Sequence, residues 1–250
     1  MSSIKDSRRV SFSLEEKKDL LLTSAISSLI IFFLFVKLLW LHEEVKLTFI
    51  IFKIISLFFT VATILFLGLY VGKRVSLAKG YTAKYSSWKN GLLIGFVLSF
   101  ISYGFIPLLF PGIIILNRIE RQRHGKLYPG ENLHEISFVI MFIEFTFVII
   151  SMIASLLFFS THAELFYYFM TIAPLIAFFS LLPFNNNLGS HFFFSKPKLY
   201  FFFLFYTFFL TIFMFLRLYY AVILSSIGMI LIYLLVRKIL IGVLGKKKII

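Results

Sequence analysis

The chain contains a series of apolar runs, each long enough to cross a bilayer. Residues 20–41, 47–71, 91–116, 136–159 and 165–184 are nearly uninterrupted apolar stretches, and 199–236 is another, broken only by Arg217. A bilayer core about 30 Å thick takes roughly 20 helical residues to span. As one helix the last run would be about 57 Å long, so it reads as two spans, 199–216 and 218–236, turning near Arg217. None of the runs alternates apolar and polar residues as strands of a membrane barrel do. Composition agrees: 60% of residues are hydrophobic and 14% charged, against roughly 25% charged in a soluble domain. A soluble globular enzyme and a disordered tail are thereby excluded. The absence of cysteine removes disulfides and thiolate-held metals.

Charge then decides how the runs are threaded. The chain carries 25 Lys and Arg and a net charge of +14. If all seven runs crossed, the basic residues of the loops would divide 11 to 12 between the two sides, with no bias. If 91–116 enters and leaves on one side, they divide 21 to 2, which is the asymmetry expected of cytoplasmic loops. The sequence therefore predicts an all-α polytopic membrane protein. It has six transmembrane helices (20–41, 47–71, 136–159, 165–184, 199–216 and 218–236) and one re-entrant hairpin segment at about 91–116. Both termini are expected in the cytoplasm. Residues 1–19 form a cytoplasmic N-terminal segment, 20–240 a single membrane domain, and 241–250 a basic tail. The hairpin segment holds Gly91, Gly95, Gly104, Gly112, Pro107 and Pro111, and its proline-bearing stretch is poor helix material. Broken backbone at membrane depth needs cover from protein or water. Ser13 followed by Glu16 matches a capping box that opens a helix.

Two stretches carry a resemblance. Gly80-Tyr81-Thr82-Ala83-Lys84-Tyr85-Ser86-Ser87-Trp88 runs through Gly91 into an apolar stretch and then Phe110-Pro111-Gly112. Further on comes Leu181-Leu182-Pro183-Phe184-Asn185-Asn186-Asn187-Leu188-Gly189. Together they resemble the site-2-protease-type intramembrane zinc metalloproteases of prokaryotes. In that family an H-E-x-x-H helix precedes the first stretch, and the Asp of an L-D-G motif in the second is the third zinc ligand. The resemblance covers roughly residues 65–194. It places the H-E-x-x-H window on Gly68-Leu69-Tyr70-Val71-Gly72 and the Asp position on Leu188, with Glu144 near a position the family fills with Asn. A catalytic zinc needs three protein ligands and an open site for water, with a Glu beside the first His as base. Gly68, Leu69, Gly72 and Leu188 supply none of these, so they are vestigial positions. No catalytic residue, cofactor or metal is expected. Gly68 and Gly72 instead have the small-residue spacing that lets helix backbones approach. They are expected to pack against the hairpin segment and the turn at 185–189.

Other residues stand out by chemistry alone. Lys37, Lys53 and Glu144 lie inside spans, where ionisable groups are costly and mark functional candidates. Both lysines can snorkel toward an interface. Glu144 is too deep for that, and is either a hydrogen-bonded neutral carboxyl or a pairing or gating group. Asn185, Asn186 and Asn187 form either a plain turn or a polar lining that contacts a client segment. The phenylalanine runs 192–194 and 201–203 read as lipid-facing bulk, and Lys73-Arg74 and Lys246-Lys247-Lys248 as anchors to anionic headgroups. The five histidines (His42, His124, His134, His162 and His191) have no zinc-motif spacing.

These features predict a catalytically inactive, metalloprotease-like protein of a prokaryotic plasma membrane. It would bind transmembrane segments or serve as a subunit of a membrane complex. Its expected partners are a bilayer with anionic headgroups and a transmembrane protein or complex, but no nucleic acid. The alternatives are an active metalloprotease with ligands recruited from elsewhere, such as His134 or His191, and a small transporter or channel using Glu144.

Overall fold

A computed structural model describes residues 10–39, 47–118, 133–184, 186–216 and 220. In chain order these form α1 (Leu14–Leu39), α2 (Leu47–Ala78), β1 (Tyr81–Ser86), α3 (Lys89–Ile101), β2 (Ile113–Arg118), α4 (Leu133–Thr161), α5 (Glu164–Leu181), α6 (Leu188–Ser195) and α7 (Pro197–Phe215). Five of these helices (α1, α2, α4, α5 and α7) are long and apolar enough to cross a membrane. They fall on the first five expected spans. The sixth, 218–236, lies outside the described residues apart from Tyr220, as does the tail.

Local chemistry explains the helix starts. The Ser13 N–H donates to Glu16 Oε2 at 2.7 Å, and the Glu16 N–H donates back to Ser13 Oγ at 3.2 Å. This is the reciprocal capping box, and it starts α1 six residues ahead of its apolar run. Pro197 opens α7 at a position where no N–H is needed.

The segment expected to turn back does so. β1 and β2 pair antiparallel, with Tyr81 opposite Arg118 and Ser86 opposite Ile113, so residues 87–112 leave and return at one point. Between the strands, α3 has 13 residues and is about 20 Å long, too short to cross. The reversal uses two glycines with positive φ. Gly104 (φ +79) sits where a Cβ would lie 2.4 Å from Phe33 O, and Gly112 (φ +96) where one would lie 2.4 Å from Ser86 O. Every described Lys and Arg except Lys37 and Lys53 lies at this hairpin end of the bundle.

α5 sits at the centre, packed on α2, α4, α6 and α7. It carries Pro174 in mid-helix, which leaves the Met170 carbonyl without its helical donor. Ser151 of α4 supplies the missing bond, its hydroxyl donating to Met170 O at 3.0 Å. Thr211 of α7 donates to Pro174 O at 3.3 Å. The helices are thus tied where Pro174 interrupts the α5 backbone ladder.

Candidate functional site

Gly68 and Gly72 stand on the face of α2 that meets α4. A Cβ added at Gly68 would lie 2.5 Å from Phe147 Cε1, and one at Gly72 would lie 2.8 Å from Ile143 Cδ1. Neither position has room for an imidazole on this backbone. Leu69 and Leu188 are both buried in the apolar core. The partner differs from the one expected. The nearest atoms at both glycines belong to α4, and the hairpin adds Ile114 of β2, 3.5 Å from the same Cβ position at Gly72. The reason is periodicity. Phe147 and Ile143 are one turn apart on α4 and drop into the notches left by two glycines one turn apart on α2.

Glu144 shares this turn of α4 with Ile143 but reaches α5. It is fully buried and hydrogen-bonds Ser180 Oγ through Oε1. The same hydroxyl lies 2.8 Å from Ala177 O. The Ser180 hydroxyl donates to the carboxyl, so the pair joins α4 to α5. Oε2 has no hydrogen-bond partner, and no described cation pairs with Glu144. Ser180 was not singled out in the sequence. The signal was available, because it is the only polar residue between Thr171 and Asn185.

Just beyond Ser180, α5 ends at Leu181 and the chain turns into α6. Asn187 is fully buried, its Nδ2 donating to Phe179 O at 2.8 Å and Leu182 O at 3.1 Å. Its amide nitrogen thus closes the C-terminal end of α5, while Oδ1 is buried with no hydrogen-bond partner. Asn186 takes a left-handed conformation (φ 60) at the bend, and Asn185 lies outside the described residues. Gly189 is pressed against α5, with a Cβ there falling 1.9 Å from Leu181 O. A chain of contacts therefore runs from the α2 glycines through α4 to Ser180 and on to the Asn187–Gly189 turn.

The remaining candidates separate. Lys73, expected to anchor to headgroups, is instead buried. Its Nζ pairs with Glu16 Oε1 at 2.7 Å and donates to Ser11 O at 2.8 Å, above the Phe12 ring. The capping carboxylate draws it inward. Lys53 pairs with Glu164 at 3.2 Å. Lys37 falls within α1, with its side chain outside the described set. The phenylalanine runs split by helical face: Phe192 and Phe203 are buried, whereas Phe194, Phe201 and Phe202 are exposed. His134 Nδ1 lies 3.4 Å from Ser195 Oγ. Among the described residues no three His, Cys, Asp or Glu side chains converge where they could hold a metal ion.

The hairpin is held by a polar lock. Glu16 Oε1 accepts the Tyr85 N–H at 2.8 Å, and Asp19 Oδ2 accepts the Ser87 N–H at 3.1 Å. Glu15 pairs with Lys84 at 2.7 Å. The Tyr85 hydroxyl bonds Thr23 Oγ1 at 2.9 Å and donates to Pro111 O, joining α1, β1 and the returning strand. Burial pushes its pKa above the ordinary tyrosine value, so it stays a donor.

No family model, curated protein or solved structure matches the chain.

Proposed function

We propose that this protein is a membrane-spanning, catalytically inactive relative of the site-2-type metalloproteases. In this reading it acts by binding transmembrane segments or as a subunit of a membrane complex. One observation carries the non-catalytic part. At the two positions where the resemblance puts histidines, the space a ligand side chain would need is filled by Phe147 and Ile143. A tightly packed seam is poor ground for a zinc site, which needs converging ligands and an open coordination position. The paired strands around residues 87–112 support a re-entrant hairpin, and the clustering of basic residues at that end supports its placement in the cytoplasm.

Metal analysis of the purified protein tests the reading. The expected result is far less than one zinc per chain. Stoichiometric zinc that disappears on His134→Ala or His191→Ala would overturn it in favour of an active enzyme with other ligands. The absence of native cysteine permits a second measurement, of the scaffold itself. A Leu69→Cys/Leu188→Cys pair should cross-link with a reagent of about 10 Å reach, wider than a zinc site whose ligands stand about 2 Å from the metal. Failure in folded protein would remove the family resemblance.

A further inference from the structure

At the end of the bundle away from the hairpin, α2 and α5 enclose a cleft of about 220 Å³ lined by Phe52, Lys53, Ser56, Glu164, Leu165 and Tyr168. Its floor and rim carry opposite charges at different depths. The Lys53 side chain is 10% exposed and that of Glu164 is 61% exposed, with 3.2 Å between Nζ and Oε1. Tyr168 fixes the carboxylate by donating to Glu164 Oε1. The tyrosine is itself wedged against Phe35 of α1, with ring centroids 5.6 Å apart, so the carboxylate is held from both sides. Below the cleft, Phe52, Ile55 and Phe59 form an exposed apolar strip down one face of α2.

We propose that this cleft binds the headgroup of a phospholipid with a primary amine, such as phosphatidylethanolamine. This inference rests on the membrane-spanning part of the proposed function and not on the protease resemblance. The headgroup phosphate pairs with Lys53 and its ammonium with Glu164, so the ion pair opens into a four-charge ring in which every charge keeps an opposite neighbour. The cleft is too small for a whole lipid, and the acyl chains lie along the Phe52–Ile55–Phe59 strip. The chemistry disfavours the other common headgroups. Choline is a quaternary ammonium with no N–H for the carboxylate to accept, and glycerol headgroups leave Glu164 facing the phosphate's negative charge uncompensated.

The test is lipid retention. The full chain is reconstituted in bilayers of equal parts phosphatidylethanolamine, phosphatidylcholine and phosphatidylglycerol, re-extracted in mild detergent, and its bound lipid quantified by mass spectrometry. Phosphatidylethanolamine should be enriched over phosphatidylcholine on the order of fivefold, the scale of one solvent-flanked charge pair. Glu164→Gln, at a largely exposed side chain, should fold normally and lose that discrimination while still retaining phospholipid through Lys53. Equal retention of the three lipids, or an unchanged preference in Glu164→Gln, overturns the proposal. The metal analysis described above is unaffected by either outcome, so the two readings fail separately.

Discussion

The hairpin lock and the glycine seam hold neighbouring parts of one molecule by opposite means. At the lock, α1 grips β1 with carboxylates. Glu16 alone accepts from Ser13 N, Lys73 Nζ and Tyr85 N. At the seam, α2 meets α4 through notches and knobs, with Gly68 and Gly72 facing Phe147 and Ile143. The lock depends on direction and charge. The seam depends on shape, and between apolar helices long enough to cross a membrane it is close fit that holds the pair. The difference implies different sensitivities. The lock should fail when a partner is deleted, the seam when an atom is added.

The largest effect is expected at the lock. Glu16→Ala leaves Lys73 buried without its counter-ion and should cost about 3–5 kcal/mol, read as a fall in the unfolding midpoint in detergent. Replacing both partners, as Glu16→Leu with Lys73→Met, should recover part of that loss, because an apolar pair leaves no orphaned charge. If the double variant is no better than the single one, the carboxylate's bonds to backbone matter more than the ion pair. At the seam, Gly68→Leu should cost about 1–3 kcal/mol by overpacking against Phe147. An equal loss from Gly68→Ala would sharpen the comparison, since it would show that one carbon suffices to part the helices. A neutral Gly68→Leu would break it. A smaller effect belongs to Ser151→Ala, which frees the Met170 carbonyl and should lower stability by about 0.6 kcal/mol, the average for hydrogen bonds between membrane helices. The smallest is Lys84→Ala. Its pair with Glu15 is exposed, and the midpoint should not move at physiological salt.

How far each region could be foreseen follows from the range of the forces that shape it. The five long helices were legible because a run of some twenty apolar residues carries its own reason to be a helix. The α1 start was legible because Ser13 and Glu16 are three residues apart. The hairpin was legible only through the global count of basic residues. Its strands were not foreseen, since Tyr81–Ser86 acquires strand geometry from pairing with Ile113–Arg118 across 26 intervening residues. The seam was half legible. Two glycines four apart announce a close approach, but nothing local says that Ile143 and Phe147 will fill it. Lys73 was misread for the same reason, because its partner Glu16 stands a whole helical hairpin away in sequence. For Asn187 the sequence left a plain turn and a client-facing lining open, because nothing local says that its amide will reach back to Phe179 O and Leu182 O.

Pro174 has a consequence for how the protein is made. α5 has the lowest mean hydropathy of the five long helices, 1.5 over 18 residues, and the largest share of its residues buried inside the bundle, 61%. Pro174 leaves the Met170 carbonyl without a helical donor, and that group finds one on Ser151 of α4. Only His162 and Ala163 separate the two helices. A nascent α5 released alone into lipid would carry an unsatisfied carbonyl at mid-depth. α4 and α5 should therefore leave the insertion machinery as a pair, with α4 held at the exit until α5 is synthesised. Truncating the nascent chain after Thr161 should leave α4 stably integrated, whereas α5 placed behind a foreign span should integrate poorly.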